Sequence, residues 1–176
     1  MKKVYVMLVA LTATAAAAIG VSPAVAQQKR ASPHETIYTK VGKSLVQVTY
    51  GRPYSKDREI WGKLVPYGKA WRAGADEATT MITQADINVG GANVPAGAYT
   101  LYMVPNADGT AKLAISKAIG AWGIPVNEKA DLARVDMKKG KAANKVDQFT
   151  MTFEKGPVLK FAWAEAEYTV ELSPKK

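Results

Sequence analysis

The residues best equipped for chemistry crowd into one segment of the 176-residue chain, Gly51 to Thr80. Arg52, Arg58 and Arg72 bring planar guanidinium forks, which match a carboxylate, phosphate or sulfate. Tyr54, Trp61, Tyr67 and Trp71 bring flat faces on which a sugar, a ring or a cation can stack. Asp76 and Glu77 add carboxylates, and these nine side chains together form the candidate ligand site. A structural reading competes with it. Trp61 and Trp71 would plug one end of the domain, with Arg58 and Arg72 neutralised by Glu59, Asp76 or Glu77, because such a network stiffens a segment that has no regular structure of its own.

Several chemistries are poorly supplied. His34 is the single histidine and there is no cysteine, so no transition-metal site or other cofactor is expected, and His34 reads as a surface residue. Asp76, Glu77 or Asp108 could serve an oxygen-only calcium site, but Asn106-Ala107-Asp108-Gly109 is too short for an EF-hand loop and reads as a turn. No Gly-x-Ser-x-Gly elbow or Walker-type phosphate loop occurs. A hydrolase would have to use Glu59 or Glu77 as general base, with an arginine stabilising the developing anion. Asp76 and Glu77 are adjacent, so on a strand they point to opposite faces; only folding could bring Glu59 near Glu77.

The elements that must position these residues begin with an export signal. Lys2 and Lys3 precede an apolar run from Val4 to about Gly20, and Ala24-Val25-Ala26 supplies a cleavage site, which predicts a signal peptide over 1–26. The expected location is periplasmic or secreted, with no membrane span after cleavage. Without cysteine there is neither a lipid anchor site nor a disulfide, so the core must hold itself together. The formal charge of +9 falls to +7 once Lys2 and Lys3 leave. The lysines are scattered, which suits a solvated surface, and no nucleic-acid partner is expected because basic residues interleave with aromatics only in the one segment. Residues 27–36 read as a flexible leader and 37–173 as a single domain.

Within that domain, Leu45 to Tyr50 alternates as a half-buried strand until Gly51-Arg52-Pro53 ends it. Ser55 is placed to cap a short helix from Lys56 to Leu64, with Asp57 and Glu59 in its first turn and Lys63 in its last. Beyond Thr79 the period of two returns: a Gly90-Gly91 hairpin, then Tyr99 to Met103, Leu113 to Ile115, Ala133 to Lys138, Phe149 to Glu154, Leu159 to Trp163 and Tyr168 to Leu172. Seven to nine short strands with a wet face each predict an all-β, antiparallel β-sandwich, closable as a barrel, carrying one short helix and an irregular loop region.

The run from Ile60 to Thr80, with Gly51-Arg52-Pro53 before it and Val94 to Pro105 after, resembles an exported bacterial family known as domain of unknown function 2911. The likeness extends from about Ser32 to Leu172 and includes Trp122-Gly123. Asp76 stands where the family pattern has an amide, which adds a charge. The resemblance implies export and a single domain and brings no catalytic residue. Three readings follow. The leading one is a binding module for a small polar or anionic envelope ligand, saccharides included; the others are a hydrolase based on Glu77 or Glu59, and a structural or partner-binding domain anchored by Trp61, Tyr67 and Trp71.

Overall fold

Alternation along the sequence becomes nine strands in the computed structural model, which describes residues 30–175. The expected signal peptide and the start of the expected leader lie outside the described residues. The strands are β1 His34–Val41, β2 Ser44–Gly51, β3 Thr80–Thr83, β4 Ile87–Val89, β5 Ala92–Val94, β6 Gly97–Pro105, β7 Ala111–Ser116, β8 Asp131–Glu154 and β9 Val158–Pro174. They pair antiparallel in one sheet, in the order β1-β2-β3-β6-β7-β8-β9-β4-β5. The protein is all-β and sandwich-like, and the sheet does not close on itself. Among the described residues no helix is long and apolar enough to cross a membrane.

Two strands are far longer than the alternation suggests. The segments around 133–138 and 149–154 belong to one strand, β8, and those around 159–163 and 168–172 belong to β9. The β8–β9 register shifts between Lys141 and Val146 and again between Val146 and Thr150, opposite Ala164, whose φ is +52°. Such bulges bend a ribbon and increase its twist. Here the bend lets both halves of the ribbon turn apolar side chains, such as Met137, Phe149, Phe161 and Tyr168, toward one core with Val48 of β2 and Met103 of β6.

β1 starts at His34, so 34–36 are strand rather than leader. The β1–β2 register sets His34 opposite Gly51. Past Gly51 the chain crosses to the far half of β8: the Ser55 N–H donates to the Asp147 carbonyl at 2.7 Å, and the Phe149 N–H donates to the Pro53 carbonyl at 2.9 Å. This short ladder overrides the expected helix. Lys56 and Asp57 take φ values of +48° and +57°, which a right-handed helix forbids, and the Ser55 hydroxyl donates to the Asp147 carboxylate instead of capping. Among the described residues the only helical turn is a 3-10 turn at Glu128–Ala130.

Candidate functional site

The segment from Gly51 to Thr80 lies across one end of the core, and its tryptophans are its anchors. The Trp71 backbone exchanges hydrogen bonds of 2.8 and 2.7 Å with Met103. Its ring stacks on Trp163 at 5.5 Å and meets Phe149 edge-on at 4.9 Å. Trp61 donates from Nε1 to the Trp163 carbonyl at 3.2 Å and packs against Tyr168. At 9% and 8% exposure, Trp61 and Trp71 are core residues, the role the structural reading gives them. Arg52 also serves the framework. It donates to the Phe149 carbonyl at 3.3 Å and the Thr150 hydroxyl at 2.9 Å, and pairs with Glu35 at 3.2 Å, tying β8 to β1. Tyr67 lies over Gly62 on a separate hollow of about 250 Å³ beside Lys139 and Lys141.

Tyr54, Arg58 and Arg72 do converge. With Lys56, Leu64 and Trp163 they line a cavity of about 290 Å³. Arg58 donates to the carbonyls of Ser55 at 2.9 Å and Tyr54 at 2.6 Å, thereby holding the tight turn that the ladder imposes. Arg72 donates from Nη1 to the carbonyls of Asp76 at 2.9 Å and Trp122 at 3.3 Å, and its guanidinium carbon lies 5.9 Å from the centre of the exposed Trp122 ring. Carbonyls orient these forks without neutralising them. Neither Arg58 nor Arg72 forms an ion pair among the described residues, so the expected partners Glu59, Asp76 and Glu77 are not theirs. No carboxylate lines the cavity. A larger hollow of about 430 Å³ borders Asp136, Lys138 and Glu171, but its charges are spent: Lys138 pairs with Glu171 at 2.5 Å and Asp136 with Lys112 at 2.7 Å.

The two carboxylates of the candidate ligand set, Asp76 and Glu77, face elsewhere. Ala73 and Asp76 have φ values of +52° and +63°, and the turn they form lies flat on the end of β2. The close approach needs Gly51, where a Cβ would sit 2.1 Å from the Ala75 carbonyl oxygen. Asp76 and Glu77 thereby come within 3.5 and 3.2 Å of His34 Nε2. Arg30 grips Glu77 with both terminal nitrogens, Nη2 to Oε1 at 2.7 Å, and its Nη1 lies 3.1 Å from His34 Nε2. The hydrogen bonds from Arg30, followed by Glu77's own backbone N–H and the nearby charge of Arg30 and His34, hold the Glu77 carboxyl down to about 2. A carboxylate so acidic is a weak base at neutral pH. Glu59 is exposed and, like Glu77, lines no part of the cavity, so the hydrolase reading has no base to use there.

Sequence reasoning missed Lys56 at the cavity and the meeting of His34 with Asp76 and Glu77. A hairpin about Gly42-Lys43, extended back to residue 34, would have put His34 opposite Gly51 and so beside the segment.

The cavity lining, apart from Ala31, and the whole carboxylate turn fall inside residues 32–172, the part of the chain matched by the family model described as Protein of unknown function (DUF2911). No curated protein and no solved structure matches the chain. With 32–172 spanning nearly all of the described domain, from the residues before β1 through β9, the chain belongs to the DUF2911 family.

Proposed function

We propose that the protein is an exported binding module that takes a small anion, of the carboxylate, phosphate or sulfate class, in the cavity between Tyr54, Arg58 and Arg72. The observation that carries this reading is a set of three cationic side chains, Lys56, Arg58 and Arg72, around one cavity with no carboxylate in its lining. Like charges held together by carbonyl anchors create a positive potential that favours an incoming anion. Both arginines keep donors uncommitted among the described residues, since Arg72 spends only Nη1 and Arg58 only Nε and Nη2. At about 290 Å³ the cavity is at the small end for a ligand site, which suits a single ring or a short acid. Half-exposed Tyr54 supplies a stacking face at its edge, so an acidic or phosphorylated monosaccharide uses every feature present.

Calorimetric titration with glucuronate, glucose 6-phosphate and inorganic phosphate tests the proposal. At least one should bind, and Arg72→Ala and Arg58→Ala should each weaken it by about tenfold or more, the loss expected for a charge-assisted hydrogen bond. Absence of heat with all three, or affinity untouched by both substitutions, sinks it.

A further inference from the structure

We infer that His34, Asp76 and Glu77 form a site for one divalent transition-metal ion of the zinc type. His34 is far along the chain from the adjacent pair Asp76 and Glu77, yet each of the three can offer a ligand atom with all three atoms within 4.8 Å of one another. Nε2 of His34 is 3.5 Å from Asp76 Oδ2 and 3.2 Å from Glu77 Oε2. Ligands about 2.1 Å from a tetrahedral zinc ion stand roughly 3.4 Å apart, so both separations match edges of that polyhedron. One imidazole and two carboxylates are a donor set zinc accepts, and three protein ligands leave a fourth position open.

Charge points the same way. Arg30 brings a positive charge to the two carboxylates, and its Nη1 touches both His34 Nε2 and Glu77 Oε2. The guanidinium therefore stands on two of the three ligand atoms, where a cation is already favoured, and supplies half the charge a divalent ion would. Binding the ion requires Arg30 to swing away, and Arg30 at 38% side-chain exposure has solvent to move into. The site shares a wall with the anion cavity through the 73–77 turn and Ala31 to Ser32, but it uses different side chains, so it stands or falls separately from the proposed anion binding.

The test is calorimetric titration of the EDTA-stripped protein with zinc chloride near neutral pH in a buffer free of glycans and phosphate. One ion per chain is expected. His34→Ala and Glu77→Gln should each weaken binding by more than the roughly tenfold that loss of an outer-shell partner costs. Arg30→Gln should tighten it, because a competitor for the same atoms is removed. Cobalt(II) substitution gives a second readout, a visible absorption band of low-coordinate cobalt that His34→Ala abolishes. Circular dichroism shows which variants are folded, and His34, at the exposed start of β1, can be truncated without opening the core. No one-to-one zinc binding by the folded wild-type protein, or unchanged affinity in His34→Ala, would overturn the site. Equal or weaker binding in Arg30→Gln would overturn the placement of the ion where the guanidinium now stands.

Discussion

Gly51 has no room for a side chain: a Cβ there would lie 2.1 Å from the Ala75 carbonyl oxygen and 3.1 Å from His34 Nε2. The clash is with backbone, which cannot swing aside as the tip of a lysine can. Gly74 answers from the other strand of chain, its Cβ position 2.9 Å from the Gly51 carbonyl oxygen. Two backbones touch here, and the turn that carries Asp76 and Glu77 rests on that contact. Gly51→Ala should lower stability by about 1–3 kcal/mol, the usual cost of forcing bulk into a packed position. It should also lift the turn off β2. Urea denaturation measures the first effect, and loss of the nuclear Overhauser contacts between the His34 ring and Glu77 measures the second; a wild-type midpoint would show that the approach is looser than the distances state.

Among the elements, the small β4–β5 hairpin is held at its root by Asp86. Its carboxylate accepts from Lys175 Nζ at 2.9 Å and from the Ala96 N–H at 3.0 Å, which lowers its pKa below the usual 3.8, the Lys175 bond contributing most. A carboxyl whose pKa is depressed by folding stabilises the native state above its unfolded pKa and loses that effect as pH falls through the folded value. Amide protection in β4 and β5, compared at pH 6 and pH 3 after correction for intrinsic exchange, should therefore fall before that of β6 and β7. In Asp86→Asn the difference should vanish, and equal protection at both pH values in the wild type would contradict the assignment. The same scale shows what could be read from sequence. Strands β2, β6 and β7 were legible from the alternation of their residue types, although β6 and β7 turn out buried on both faces rather than carrying the expected wet face, and Gly90-Gly91 marked its hairpin by the positive φ both residues adopt. The middle of β8 was not, because Lys138 to Lys145 is largely solvent-exposed ribbon with no burial period to betray it. The helix at 56–64 failed for another reason. Its local signals were sound, but the ladder to Asp147 and Phe149 dictated the backbone from far along the chain. In the site, Tyr54, Arg58 and Arg72 could be named from residue type, whereas the partners of His34 depend on the β1–β2 register and the tertiary turn at 73–77, which no local pattern encodes.

Across the whole molecule, neighbouring residues of one segment divide between the buried core and the cavity. Trp71 is buried among Phe149, Trp163 and Trp61, whereas Arg72 beside it reaches the cavity. Trp71→Ala should cost about 3–5 kcal/mol, as removal of a buried aromatic does. Arg72→Ala should change stability by only about 0.5 kcal/mol, since its carbonyl partners sit near solvent. Thermal and chemical unfolding of the two variants side by side checks the division, and comparable losses in both would erase it. Net charge offers no such guide, because the local charge at this end is split between a basic cavity and an acidic turn a few residues apart.

The crossing of residues 53–55 onto 147–149 bears on the order in which the protein can assemble. A turn whose φ angles are set by strand pairing has no template until its partner strand exists, and that partner is itself bent into shape by pairing with β9. Contacts of such long sequence separation pay their loop-closure entropy early and are rewarded late, which places the domain among slow, millisecond-to-second folders. Read from its N-terminus, the chain thus presents Arg58 and Arg72 early, but gains the cavity that groups them only after the last ribbon has folded behind them.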